Sequence, residues 1–136
     1  MEGGVVGRPH ERAMLIIRRE QMAIFERAAE EDFERRLMIA MRAHHPLAVR
    51  DRSDEELRAE VRVAIARARG HGFRHESTIA DFVSLYFSVG ARFDEYPPVR
   101  AILRDEVVPL EKRVRWLMLR LSKEEWSEAR GAGGGG

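Results

Sequence analysis

The sequence has no cysteine and no asparagine, and it has only one threonine, Thr78, and one glutamine, Gln21. Without cysteine there is no disulfide, no thiolate zinc site and no cysteine nucleophile, and nothing indicates an oxidising compartment. Few uncharged polar side chains are left to orient a small substrate. These absences favour a cytoplasmic location and a function that is not enzymatic.

An excess of one charge sign is also missing. The 24 lysines and arginines nearly balance the 23 acidic residues, which leaves a formal net charge of +1. A dedicated nucleic-acid binder usually carries a basic surplus. The locally basic residues Arg58, Arg62, Arg67, Arg69 and Arg74 lack the neighbouring Asn or Gln side chains that read bases. We interpret them as a solvated helix face and expect no specific nucleic-acid partner; contact with phosphate or an acidic protein is the alternative.

Long hydrophobic runs are absent too. The longest, residues 13–17, is far shorter than the roughly 18 to 20 residues that cross a bilayer, so we expect no membrane span. Residues 1–13 lack the apolar core of a secretion signal and are predicted to be a flexible lead. Residues 131–136 are glycine-rich and predict a disordered tail, because glycine loses the most backbone entropy on ordering. Between them, residues 14–130 have the size of one helical domain.

Apolar residues recur every three or four positions, which predicts an all-α fold. The first helix is expected over residues 19–43, a stretch without glycine or proline that Pro46 terminates. Only residues 14–17 look extended, and a lone strand has no partner. The apolar stripe of the first helix consists of Met22, Phe25, Ala29, Phe33, Leu37 and Ala40.

Helix-start and helix-stop signals divide the rest of the chain. Ser53 and Glu56 have the spacing of a capping box, so a second helix should begin at Asp54 and end at the glycines of residues 70–72. A third helix, acidic at its start and stopped by Gly90, is apolar almost all round and should be the most buried.

The C-terminal part of the sequence predicts further helical segments. A short helix should follow the two prolines at residues 97–98, and a last full helix should cover residues 110–121. Ser122 and Glu125 form a second capping-box pattern, which predicts a terminal helical turn. We therefore expect a compact bundle of four or five helices with a long N-terminal helix.

Tryptophan and arginine on the last helices make a candidate partner-binding strip. Arg113, Trp116 and Arg120 follow one another at helical spacing, and Trp126 lies in the terminal turn. These residue types dominate the energetics of protein interfaces. The alternative for Trp126 is that it folds back as a lid over the core, since tryptophan is often highly but incompletely buried.

The loop around Asp94 and Tyr96 is the second candidate site, because loops held by rigid elements often carry function. Turn chemistry is one interpretation, with Asp94 bonding backbone amides and Tyr96 packing before the prolines. The other is a small hydrolase or lyase that uses Asp94, Glu95 and Tyr96 together with His75. His75 also begins a zincin-like pattern, but Ile79 stands where its second histidine is needed. We expect no metal and no cofactor, and interpret His75 as a substitute cap of the third helix.

Several stretches carry a resemblance to a known family: residues 15–22 with Phe25, residues 33–37, residues 45–46, residues 86–94 with Pro97, and residues 101–105. Together they resemble small helical bacterial proteins encoded beside type VI secretion spike and adaptor genes. The resemblance spans residues 14–120, although Val99 or Arg100 stands where a tryptophan is usual. It implies a protein that helps to load, adapt or neutralise an effector.

The function predicted from the sequence is a non-enzymatic protein-interaction module, an accessory or adaptor of a type VI secretion system. Its partner would be another protein: a spike component, an effector or a toxin. The first alternative is an immunity protein that binds and neutralises a toxin, and the second is the small enzyme built on the Asp94 loop. A second copy of the chain is a further candidate partner, so that a homo-oligomer is also open.

Overall fold

The computed structural model describes the backbone of residues 2–134 and the side chains of residues 19–131. This part of the chain contains seven helices and two 3₁₀ turns, and it contains no strand. The all-α class is therefore confirmed, while the expected four or five helices were too few because one-turn segments also form. The helices are α1 Glu2–His44, α2 Pro46–Val49, α3 Asp54–Gly70, α4 Glu76–Ser88, α5 Pro97–Leu103, α6 Arg113–Arg120 and α7 Lys123–Gly134, and the 3₁₀ turns are Phe93–Glu95 and Leu110–Lys112.

Two compact units make up the chain, Met1–Arg35 and Arg36–Gly136, where the sequence favoured one domain over residues 14–130. The first unit is the N-terminal part of α1. The second contains the end of α1, the other six helices of the described chain and most of its buried side chains. None of the helices among the described residues is both long and apolar enough to span a bilayer.

The terminal helices are longer than expected. α1 begins at Glu2, so residues 2–13 of the expected lead and the extended-looking residues 14–17 are helical backbone. The absence of glycine and proline from residues 10–45 accounts for the helix over residues 10–18, but not for its extension through residues 2–9, which contain three glycines and a proline. α7 continues to Gly134, so residues 131–134 of the expected tail are helical as well. Met1 and residues 135–136 lie outside the described residues.

The core of the second unit forms around α4, as its apolar composition predicts. Phe82 and Val83 are completely buried. The ring centroid of Phe82 lies 4.8 Å from that of Phe93 and 6.2 Å from that of Phe73, at tilted angles that aromatic pairs favour. Phe73 follows α3 and Phe93 follows α4, so the aromatic cluster joins the chain segments that leave these two helices.

Local polar contacts set the helix ends. In the capping box of α3, the Glu56 amide donates to the Ser53 hydroxyl and the Ser53 amide donates to the Glu56 carboxylate. Ser122 and Glu125 form the same reciprocal pair at the start of α7, so both capping boxes are confirmed. After α3 the chain turns at Gly72, whose φ of 97° is favourable only for glycine.

The substitution Phe82→Ala tests whether α4 is the centre of the core. It should lower the free energy of unfolding by about 3 to 5 kcal/mol, because it removes a completely buried ring and leaves a cavity between Phe73 and Phe93. Urea denaturation measures the change. Leu47→Ala, at an exposed position, is the matched control and should change the stability by less than about 0.5 kcal/mol. A similar small effect for Phe82→Ala would show that the core is centred elsewhere.

Candidate functional site

A groove of about 490 Å³ lies along the N-terminal half of α4 and along α6. Polar and charged residues come from α4 and from the 3₁₀ turn Leu110–Lys112, while α6 contributes the large apolar side chains. The lining includes His75, Thr78, Asp81, Glu111, Trp116 and Leu119.

One end of the groove is organised by Glu111. Its carboxylate accepts hydrogen bonds from the backbone amides of Arg74 at 2.9 Å and His75 at 3.2 Å, and the Thr78 hydroxyl donates to its carbonyl. Burial alone would raise the pKa of Glu111, but these hydrogen bonds outweigh it and lower the pKa. Glu111 therefore stays ionised at the positive N-terminal end of α4, where the helix dipole favours a carboxylate.

The expected role of His75 needs correction in one respect. His75 does occupy the N-cap position of α4. The acceptor that satisfies the amides there is the Glu111 carboxylate, and the His75 ring lies with its Nδ1 3.7 Å from Glu111 Oε1. A glutamate 36 residues away in sequence thus replaces a local cap.

The apolar side of the groove carries Trp116 with Arg120. Trp116 is half-buried, and the Arg120 guanidinium carbon lies 4.6 Å from the centroid of its ring. Leu119, which also lines the groove, is 74% exposed, and Met118 is 48% exposed. Burial raises the pKa of Asp81 across the groove, and the charge of Arg115 partly opposes that shift. The Trp116 ring, the Arg120 guanidinium and the exposed Leu119 side chain are therefore displayed together, whereas Met118 does not line the groove.

Arg113 does not belong to that display. Its Nε donates to the carbonyl of Val108 at 2.9 Å and its Nη1 donates to the carbonyl of Leu103 at 3.2 Å. The side chain thus closes the C-terminal end of α5 and holds the loop that leads to α6. Of the expected strip, the structure keeps Trp116 and Arg120 together and gives Arg113 a different set of contacts.

Asp94 is buried and ionised. Arg67 Nε lies 2.9 Å from both of its carboxylate oxygens, Arg67 Nη2 lies 2.9 Å from Oδ1, and His71 Nε2 lies 2.8 Å from Oδ2. Burial alone would raise the pKa of Asp94, but the hydrogen bonds from His71 and Arg67 outweigh it and lower the pKa. A carboxylate held ionised in this way has no proton to donate at neutral pH.

The histidine beside Asp94 is thus His71, whereas His75 lies beside Glu111. The proposed grouping of His75 with the Asp94 loop is not found. Arg67 also binds the Glu95 carboxylate at 2.6 Å, so the arginine anchors both acids of the 3₁₀ turn. The sequence analysis missed Arg67 and His71, because it treated Arg67 as part of a solvated basic face and His71 as part of a helix end. The available signal was a histidine directly after a helix, which could have been matched with an aspartate in a later loop.

Tyr96 and Trp126 lie on or beside α7. The Tyr96 hydroxyl donates to the Glu128 carboxylate at 2.5 Å, and this hydrogen bond raises the pKa of Tyr96 to about 12. Tyr96 therefore ties the residue before α5 to α7. Trp126 is half-buried on α7 and does not line the groove.

No family model, no curated protein and no solved structure matches this chain. Within the part of the chain that the structure describes, no group of three or more histidine, aspartate or glutamate side chains is placed to hold a metal ion.

The substitution Asp94→Asn tests the ion pair through its pH dependence. The pKa of Asp94 lies below its usual value of 3.8, so the interaction stabilises the fold above that pH and is lost as the pH falls through the lowered pKa. At neutral pH the variant should lose roughly 3 kcal/mol of stability. Urea midpoints measured between about pH 6 and pH 2.5 should fall less steeply for the variant than for the wild type. Parallel curves would contradict the assignment.

The two arginines of α6 should behave differently. Arg113→Ala should lower the free energy of unfolding by about 1 to 3 kcal/mol, because it removes charged donors from two backbone carbonyls. Arg120→Ala removes an exposed side chain and should change it by less than about 0.5 kcal/mol. Thermal and urea denaturation of the two variants, side by side, measure this difference. A loss below about 0.5 kcal/mol in Arg113→Ala would show that Arg113 has no structural role.

Proposed function

We propose that the chain is a non-enzymatic protein-interaction module and that the groove along α4 and α6 receives its partner. The observation that carries the proposal is the Trp116 ring, half-buried and covered by Arg120, beside the exposed side chain of Leu119 in the groove. Tryptophan and arginine are the residue types most enriched among interface hot spots. The exposed Leu119 side chain beside them adds apolar surface that a partner can remove from water.

The shape of the groove favours a segment of a partner protein. About 490 Å³ accommodates a few side chains, such as those on one face of a short helix. A partner that excludes water from Trp116 would also strengthen its cation–π interaction with Arg120. Charged groups line the groove, among them Glu111 and Arg115. They would contribute more to the orientation of the partner than to its affinity.

The resemblance to proteins encoded beside type VI secretion genes extends the proposal to the class of partner. In this form, the chain is an accessory or adaptor protein, and the groove binds a spike component or an effector. If the bound protein is a toxin that the chain neutralises, the same surface serves an immunity protein.

Replacing the groove side chains tests the proposal. In Trp116→Ala with Leu119→Ala, affinity for the partner should fall at least about thirtyfold, which corresponds to the loss of one hot spot. Arg120→Glu should also weaken binding while leaving the core intact, because Arg120 is exposed. The partner is found by co-purifying the tagged chain with each protein encoded by the neighbouring genes, and its affinity is then measured by titration calorimetry.

The control is Leu47→Ala with Val107→Ala, which removes exposed apolar side chains that do not line the groove. It should bind as tightly as the wild type. Binding to a spike component supports the adaptor function, and binding to a toxin with rescue of growth supports the immunity function. Wild-type affinity in both groove variants would refute the proposed surface.

A further inference from the structure

We propose that the partner segment bound in the groove is an acidic amphipathic helix. Its large apolar side chains cover Trp116 and Leu119, and its carboxylates meet the cations on either side of them. This inference rests on the groove function proposed above and adds the chemistry of the partner. Its basis is the excess of positive charge on the α6 side of the groove.

Positive charge is concentrated where α6 borders the groove. Residues 112–120 contain one lysine, three arginines and no acidic residue, so this stretch has a net charge of +4. Arg113 donates to backbone carbonyls, whereas Lys112, Arg115 and Arg120 are exposed. Lys112 and Arg115 line the groove, and Arg120 covers the tryptophan ring. Exposed cations therefore accompany the apolar surface that a partner would cover.

The cations and the apolar side chains follow one another along one helix face. Lys112 is the N-cap residue of α6, and Trp116, Leu119 and Arg120 come four, seven and eight residues after it. Lys112 and Arg120 are therefore about 12 Å apart along the helix axis. Leu119 between them is 74% exposed. A partner helix on this face would place apolar side chains at its centre and charged side chains toward both ends.

The two carboxylates of the groove leave this positive charge largely uncompensated. Glu111 is occupied by two backbone amides at the start of α4. Asp81 is half-buried on the α4 side, and the charge that acts on it is that of Arg115. Within the part of the chain whose side chains are described, Lys112 and Arg120 have no carboxylate at ion-pair distance. The charge that remains for a partner is therefore positive at both ends of the apolar surface.

An acidic amphipathic helix matches this arrangement. Its apolar side chains would remove Trp116 and Leu119 from water, and its carboxylates would face cations. A basic segment would bring like charges together where water is excluded. A nucleic acid also offers anions, but a chain with a net charge of only +1 lacks the basic surplus of a nucleic-acid binder.

Three synthetic helical peptides test the charge of the partner. They share one apolar face and differ only at two positions eight residues apart, which are both glutamate, both glutamine or both lysine. Calorimetric titration of the full-length wild-type chain should give the tightest binding for the glutamate peptide and the weakest for the lysine peptide. The affinities of these two should differ at least about tenfold, because attraction is exchanged for repulsion at both ends. Trp116→Ala with Leu119→Ala should weaken the binding of the glutamate peptide, because the apolar contact is lost.

Charge reversal on the chain provides the matched test. In Lys112→Glu with Arg120→Glu the order of affinities should invert, so that the lysine peptide binds most tightly. Arg58→Glu with Arg100→Glu makes the same change in net charge at exposed positions that do not line the groove, and it should keep the wild-type order. Circular dichroism checks that both variants keep their helix content.

The outcomes separate this inference from the groove function. Equal affinities for the three peptides, each lowered by Trp116→Ala with Leu119→Ala, would overturn the acidic partner and leave the groove function standing. Failure of all three peptides to bind would also overturn it, while co-purification with the proteins of neighbouring genes still decides the groove function. Binding of a single-stranded oligonucleotide in place of the glutamate peptide, abolished by Lys112→Glu with Arg120→Glu, would overturn it in favour of a nucleic acid.

Discussion

The fold of the second unit depends on one buried carboxylate. Asp94 is 5% exposed, and a charge in that position is tolerated because Arg67 supplies hydrogen bonds and an opposing charge and His71 forms a further hydrogen bond. Both partners come from the C-terminal end of α3 and the turn that follows it, so the interaction fixes the 3₁₀ turn after α4 against α3. The neighbouring Phe93 is thereby held in the core against Phe82. The Asp94–Arg67 ion pair and the packing of Phe93 against Phe82 therefore stabilise the same turn.

Arginine side chains donate hydrogen bonds to backbone carbonyls that amide and hydroxyl side chains often bind in other proteins. The Arg42 guanidinium donates to the carbonyls of Val49 and Arg52, and Arg113 donates to those of Leu103 and Val108. A chain without asparagine, and with a single glutamine and a single threonine, has few other long donors. One guanidinium has five N–H donors in a rigid fork and can close two carbonyls at once. Some of the many arginines in this sequence therefore have a structural role, in addition to those that are simply exposed at the surface.

The sequence predicts what local physics determines. The capping box at Ser53 and the glycine turn after α3 define that helix from Asp54 to Gly70, and the apolar composition of α4 identifies the core. The polar contacts of the sites are different, because they join residues far apart in the chain. Nothing local to Glu111 shows that it caps α4, and helical spacing places Arg113 near Trp116 without showing that its long side chain reaches back to carbonyls before α6.

Exposed apolar surface occurs in two settings that differ in physical character. At the groove, Trp116 is already partly packed and its ring is covered by Arg120, so a partner meets a surface with fixed geometry. On the first unit, Met22 and Phe25 are exposed on one face of a single helix, and no ring or charged group among the described residues is shown packed over them. The two surfaces therefore differ in how far packing within the chain already fixes their geometry.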